Sequence, residues 1–301
     1  MTTNHIVSVP VNEELAALIG KKGSVNGLTF FNRKVGDDVI VVLYPTNAAE
    51  KPYAIAESML VAGQIVISTA QVGKELGEAL VAASLLDKKV LITDDNDVSK
   101  LIGNGLLKDY EVVGKDVLLE KIAGFSEGKQ SEVVRVDVDK AFPVSGIGTV
   151  VLGVVMSGTV KVHDTLHHSS GKEITVRSIQ SQDVDVKEAP PGTRAGLAVK
   201  GMDHGEIEKG DVLASKRIEK VRRITTTLRL SQVANEKISE GSTYLLVSNF
   251  SHTNVKVSVK PEGAEMLLEK PLSLMPGDAF MLLRNGSPRI FASGAIKSAQ
   301  P

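Results

Sequence analysis

Gly146-Ile147-Gly148-Thr149-Val150-Val151 runs almost directly into Gly153-Val154-Val155-Met156-Ser157-Gly158. β-Branched residues fit a pleated, half-buried surface, and glycines set among them are what a small closed barrel needs where a corner or tight turn leaves no room for Cβ. Thr159 to Val162 and Ile174 to Val176 continue the pattern, punctuated by Ser157-Gly158, Ser170-Gly171 and Pro190-Pro191-Gly192. Short strands at this spacing, with no helical period between them, predict an antiparallel barrel or sandwich.

Working outward, a second β-rich unit follows a break near Ser215 to Lys220, with strands expected over Thr225 to Leu230, Thr243 to Val247, Asn254 to Val259 and Ala279 to Leu283. On the other side, Phe125 to Ser131 reads as a polar linker, and the chain before it has a different texture. His5 to Val11, Asp38 to Leu43, Gln64 to Ser68 and Lys89 to Thr93 are short apolar strands. Asn12 to Ile19, with Asn12 as N-cap, and the Ala-rich stretch Lys74 to Leu86 are helix-compatible. Strands alternating with helices predict a parallel α/β sheet. The expected organisation is an α/β domain over 1–124, a β-barrel over 125–216 and a second β-barrel over 217–301.

The 301 residues carry 35 Lys plus Arg against 36 Asp plus Glu, so a generally basic nucleic-acid binder is excluded. The charge is unevenly placed, however: residues 1–124 hold 12 basic and 16 acidic side chains, whereas 216–301 hold 13 and 7. The C-terminal third is therefore the candidate polyanion surface, with Arg217, Lys220, Arg222, Arg223, Arg229, Lys256, Lys260, Arg284 and Arg289 as the pool of phosphate contacts. The absence of cysteine removes disulfides, Cys-ligated metals and thiol nucleophiles, and fits a reducing cytoplasm. No apolar run reaches the roughly 20 residues that span a bilayer. The adjacent pair His167-His168 is expected in a solvated turn rather than at a metal, because neighbours do not share a face.

The ordered elements Val138-Asp139-Lys140-Ala141-Phe142, the two glycine-bearing runs, Val176-Arg177-Ser178-Ile179-Gln180-Ser181, Ala189-Pro190-Pro191-Gly192-Thr193-Arg194 and Lys209-Gly210-Asp211-Val212-Leu213-Ala214 closely resemble the second domain of the EF-Tu superfamily of translation factors, within it the selenocysteine-specific SelB branch. Leu272-Ser273-Leu274-Met275-Pro276-Gly277-Asp278 and Met281-Leu282-Leu283-Arg284 resemble the third domain. The resemblance covers about residues 125–297. It implies an α/β G-like domain followed by two antiparallel β-barrels. It also implies that Asp139, Lys140, Phe142 and Arg194 line a pocket for the aminoacyl group and 3′ end of tRNA. The family more often has Arg where this chain has Lys140, and Lys cannot make the same planar bidentate contact. On residue chemistry alone, Arg194 could equally cap a barrel end and Lys140 be a solvated charge.

In that superfamily the first domain is a GTPase whose first strand leads into GxxxxGK[ST]. Here Asn12-Glu13-Glu14-Leu15-Ala16 follows instead, without the glycines, the phosphate-binding lysine or the magnesium hydroxyl. Gly20-Lys21-Lys22-Gly23-Ser24 lies after a helix, outside the strand-loop-helix context, and reads as a turn or a phosphate contact. Gly27-Leu28-Thr29-Phe30 resembles the switch I segment. Leu43-Tyr44-Pro45-Thr46-Asn47 sits where the family has Asp-x-Pro-Gly-His, with the chemical positions replaced. Leu91-Ile92-Thr93-Asp94-Asp95-Asn96 and Tyr110-Glu111-Val112-Val113-Gly114-Lys115 resemble the guanine-binding segments; their acids could equally cap surface loops. The candidate nucleotide residues are thus Asn12, Thr29, Thr93, Asp94, Asp95, Gly114 and Lys115, with GTP as the implied cofactor, no standard magnesium site and no catalytic residue.

The resemblance implies a cytoplasmic, monomeric, elongation-factor-like protein that binds aminoacyl-tRNA, with cysteinyl- or selenocysteinyl-tRNA the natural cargo. It implies GTP held in a non-standard mode with little or no hydrolysis, and the ribosome as a further partner. DNA and membranes are not expected as partners. A chain ending soon after the third unit is expected to have no extension for reading a messenger RNA element. The alternative is a nucleotide-independent scaffold that docks another translation component. An active GTPase with rebuilt chemistry has no visible source of electrostatic stabilisation for transfer.

Overall fold

The computed structural model describes residues 3–93, 100, 102, 105–125, 131–234 and 237–301. The first domain is built on β1 (Asn4–Ser8), α1 (Glu13–Ile19), β2 (Lys21–Asn26), β3 (Leu28–Val35), β4 (Asp38–Pro45), α2 (Tyr53–Val61), β5 (Gln64–Ser68), α3 (Lys74–Ser84), β6 (Lys89–Thr93), β7 (Glu111–Val112) and α4 (Leu118–Ala123). They form one sheet in the order β2-β3-β4-β1-β5-β6-β7. From β4 to β7 the sheet is parallel, and β5 is buried along its whole length. The expectation of a parallel sheet needs a correction at one edge, where β2, β3 and β4 are antiparallel neighbours.

That edge holds a second correction. Lys21 to Ser24 is neither a turn nor part of a phosphate loop but lies within β2. Its polar sequence has low strand propensity, yet Lys21 pairs with Asn32, Lys22 with Phe31 and Val25 with Thr29. Partner pairing overrides local preference at such an edge.

The second domain comprises β8 (Arg135–Val144), β9 (Gly148–Ser157), β10 (Val160–Lys161), β11 (Thr165–His168), β12 (Glu173–Ser181), β13 (Val184–Val186), β14 (Glu188–Ala189), β15 (Arg194–Lys200) and β16 (Val212–Ala214). The order β11-β16-β8-β9-β15-β12 closes through β11 with β12 into a six-stranded antiparallel barrel. Gly146, Gly148 and Gly158 take positive φ at its corners. His167 and His168 lie on β11, which corrects the solvated turn. His168 is buried, with Nε2 3.0 Å from Asp211 Oδ2 and Nδ1 2.8 Å from Ser170 Oγ. Among the described residues no cluster of three His, Asp or Glu could hold a metal ion.

The third domain comprises β17 (Val221–Thr226), β18 (Arg229–Leu230), β19 (Thr243–Ser248), β20 (Ser251–Lys260), β21 (Gly263–Leu272), β22 (Ala279–Leu283) and β23 (Ile290–Gln300). The ring β17-β21-β20-β19-β22-β23 closes through β17 with β23, again a six-stranded antiparallel barrel. The architecture is an α/β domain followed by two closed barrels.

The first domain shares apolar cores with both barrels. Ile55, Met59 and Leu80 of α2 and α3 pack in one cluster with Val247, Met281 and Ile290 of the third domain. Phe30, Leu43 and Ala54 pack with Val154 and Phe250. Buried Arg135 bridges the two barrels, with Nε 2.6 Å from Asp137 and Nη1 2.6 Å from Asp278. Among the described residues no helix is long and apolar enough to cross a membrane.

Candidate functional site

Asp139 lies on β8 at a register shift between Val138 and Lys140. Such a bulge re-aims a side chain, and here five consecutive residues from Arg135 to Asp139 are buried. Arg194 opens β15 just after the Pro190-Pro191-Gly192 turn, two strands away across β9. Arg194 Nη2 donates to Asp139 Oδ2 at 3.2 Å, and the two side chains are only 11% and 1% exposed.

The remaining partners of this pair come from the first domain. Ser24 Oγ accepts from Arg194 Nη2 at 2.7 Å. Asn26 Nδ2 donates to the Asp139 carbonyl oxygen at 2.8 Å and to Oδ1 at 3.3 Å. The guanidinium carbon stands 3.7 Å from the centre of the Phe30 ring, a cation–π stack with little water around it. Burial pushes the Asp139 carboxyl above its usual range despite the pull of Arg194 and Lys209. Burial likewise lowers the Arg194 guanidinium despite Asp139. Arg194 Nε is buried and has no acceptor among the described residues.

Lys140 does not join the pair. It is exposed, with its ammonium 5.8 Å over the half-buried Phe142 ring. Asp139 with Arg194, and Lys140 with Phe142, are therefore two adjacent but separate pairs along β8.

A separate cavity of about 330 Å³ opens at the carboxyl ends of β1, β4 and β5, where open α/β sheets place ligands. It is lined by Val11, Asn12, Tyr44, Ser68, Gln71 and Glu75 among others, and among the described residues no Lys or Arg lines it. Asn12 has φ 73°, its Oδ1 accepts the Leu15 N–H at 3.0 Å, and its Nδ2 donates to Ser68 Oγ at 3.1 Å. Asn12 thus caps α1 and satisfies a donor that a phosphate would otherwise take. Glu13 and Glu14 fill the first turn.

The other residues expected at a nucleotide are dispersed. Thr29 is buried with its hydroxyl 2.9 Å from that of Thr46. Thr93 is buried at the end of β6, and Gly114 and Lys115 are exposed in the loop before α4. Asp94 and Asp95 lie outside the described residues. Of the described members of this set only Asn12 lines the cavity.

Sequence reading missed Ser24, Asn26 and Phe30, which complete the Asp139–Arg194 pair, and also Glu57. Glu57 sits in the otherwise apolar helix Tyr53-Ala54-Ile55-Ala56-Glu57-Ser58-Met59-Leu60-Val61. A lone acid on a buried helix was the available signal, since such a charge needs a partner. Lys209 Nζ supplies it at 2.7 Å and His252 Nδ1 lies 3.3 Å away.

An α/β domain followed by two closed antiparallel barrels matches the three-domain architecture of EF-Tu and SelB. The model of elongation factor Tu domain 2 matches residues 148–214. The uncharacterized protein MJ0325 of Methanocaldococcus jannaschii is 29% identical over 290 residues, 93% of this chain and 94% of that one. The selenocysteine-specific elongation factor of Haemophilus influenzae is 28% identical over 172 residues, 54% of this chain but only 27% of its own length. The crystal structure of translation elongation factor SelB from Methanococcus maripaludis with the GTP analogue GppNHp superposes with a TM-score of 0.81 at 18% identity, covering 100% of this chain and 80% of that one. The second domain is thus an elongation factor Tu domain 2, and in sequence and fold the chain is similar to members of the EF-Tu/SelB-like superfamily.

Proposed function

We propose that the protein binds aminoacyl-tRNA, with the aminoacyl end received by Asp139, Lys140, Phe142 and Arg194 and the RNA backbone by basic residues of the third domain. The observation that carries this reading is the Asp139–Arg194 pair, two buried polar groups of opposite charge at a domain junction with one donor, Arg194 Nε, left over. Perturbed, incompletely partnered groups of this kind concentrate at binding sites. Cysteinyl- or selenocysteinyl-tRNA is the proposed cargo, because a small, soft, partly anionic side chain suits cationic Arg194 and Lys140.

GTP is proposed to bind in a non-standard mode with little or no hydrolysis. Among the described residues the cavity at the strand ends is lined by no cation, and two glutamates in the adjoining helical turn repel a triphosphate. The protein is proposed to act in the cytoplasm as a monomer, with the ribosome as further partner and without DNA or membrane. The test is a panel of aminoacyl-tRNAs, each measured for protection of its ester against spontaneous hydrolysis. Protection of cysteinyl- or selenocysteinyl-tRNA well beyond the rest is expected; equal protection of unrelated cargoes would refute the assignment. One observation favours a second reading, a nucleotide-independent docking scaffold: buried ion pairs from Glu57 and Glu78 fasten the first domain to both barrels. Stable capture of a protein component with indifference to tRNA would select it.

A further inference from the structure

Strand β2 stands in the way of anything that would reach Asp139 and Arg194. Its Ser24 hydroxyl occupies the acceptor position opposite Arg194 Nη2, and its Asn26 amide occupies the donor position opposite Asp139. An aminoacyl ester carries the same two functions, a carbonyl oxygen that accepts and an α-amino group that donates. We infer that β2 is an internal surrogate for the cargo, so that Ser24 and Asn26 must be withdrawn before an aminoacyl ester can engage Arg194 and Asp139. The inference rests on the reading of this pocket as the cargo site.

Three further observations support it. β2 is the edge strand of its sheet and, among the described residues, pairs only with β3. Its register breaks between Lys22 and Val25, so Gly23 and Ser24 have no register partner on β3, and only the last two residues, Val25 and Asn26, tie this end of β2 to the ladder. The surrogate is also incomplete: Arg194 Nε remains buried without an acceptor among the described residues, a deficit that a bulkier group with a second acceptor would relieve. Phe30 belongs to β3, so the guanidinium keeps its stacking surface when β2 moves.

The experiment reads pocket access with an arginine-selective dicarbonyl, p-hydroxyphenylglyoxal, and locates the adduct by peptide mass spectrometry. In the unmodified sequence Arg194 should react far more slowly than exposed Arg222. The double variant Ser24→Ala with Asn26→Ala should raise labelling at Arg194 at least fivefold and leave Arg222 unchanged. Asn26→Asp, which sets a second carboxylate against Asp139 without creating a void, should do the same if the double variant folds poorly. In stopped-flow, the open variants should associate with aminoacyl-tRNA at least fivefold faster and with deacylated tRNA no faster. Unchanged labelling of Arg194 in both variants would overturn the surrogate itself. Faster labelling without any preference for aminoacylated over deacylated tRNA would overturn the cargo reading, and the inference with it.

Discussion

Glu57 of the first domain and Lys209 of the second form an ion pair at 2.7 Å in which the carboxylate is wholly buried. The other carboxylate oxygen lies 3.3 Å from His252 Nδ1 of the third domain, whose ring stacks on Tyr53 at 4.3 Å. One acid on α2 thereby joins all three domains, and the cost of removing its partner follows from what a bare buried charge costs. Lys209→Met leaves Glu57 with a single half-exposed partner and should destabilise by about 3 kcal/mol. Adding Glu57→Leu to that variant removes the stranded charge and should recover most of the loss. Urea unfolding of the two variants checks this; a double variant no more stable than Lys209→Met would disprove the stranded-charge account.

Asn12 separates a structural from a nucleotide role. Its left-handed φ of 73° and its bond to the Leu15 N–H make it a cap that alanine cannot replace, so Asn12→Ala should cost about 1–2 kcal/mol. Asn12→Gly keeps the backbone conformation and should cost only a few tenths. Thermal melting without nucleotide should rank the variants in that order. Titration with GTP should be unaltered by Asn12→Gly if the residue serves α1 alone.

Asp211 sets an acid limit on the second barrel. Burial pushes its carboxyl up, but His168, Lys220 at 2.7 Å and the Glu208 N–H outweigh this and hold it well below the usual carboxylate range. A depressed carboxyl stabilises the fold fully above its unfolded pKa, near pH 4, and the contribution is lost as pH falls from there through the folded value. Asp211→Asn should therefore be less stable by about 2 kcal/mol at pH 7. The gap between it and the parent should narrow steadily below pH 4. A gap that stays constant from pH 7 to 3 would show that the carboxylate charge is not what matters.

The parts of the molecule that local residue chemistry dictates were legible. Gln64–Ser68 and Lys89–Thr93 read as buried strands because each is a short apolar run, and the barrels read as barrels because glycines interrupt β-branched segments. β2 was not legible, since Lys21 to Asn26 becomes a strand only by pairing with Leu28 to Val35. Asp139 and Arg194 stood out only through resemblance to a family, while Ser24 and Asn26 lie more than 100 residues from the side chains they touch. No local pattern encodes such a meeting. His168 was misjudged for the same reason, its carboxylate partner Asp211 lying 43 residues on, just before β16.

Gly192 places the second domain against the first, and the size of its effect can be separated into two parts. Its φ is +80°, and a Cβ there would meet the Asn4 carbonyl oxygen at 2.7 Å, at the start of β1. Gly146 has nearly the same φ, +77°, but no atom within 4 Å of the place its Cβ would take. Gly146→Ala should therefore show the backbone cost alone, about 1–2 kcal/mol. Gly192→Ala should show that cost plus the displacement of Asn4, so its melting temperature should fall further. Because Arg194 lies two residues on, Gly192→Ala should also loosen the junction there, raising hydrogen exchange in β1 and dicarbonyl labelling of Arg194, whereas Gly146→Ala should change neither. Equal losses in the two variants, with Arg194 protected in both, would mean that the turn at Pro190-Pro191-Gly192 does not hold the domains together.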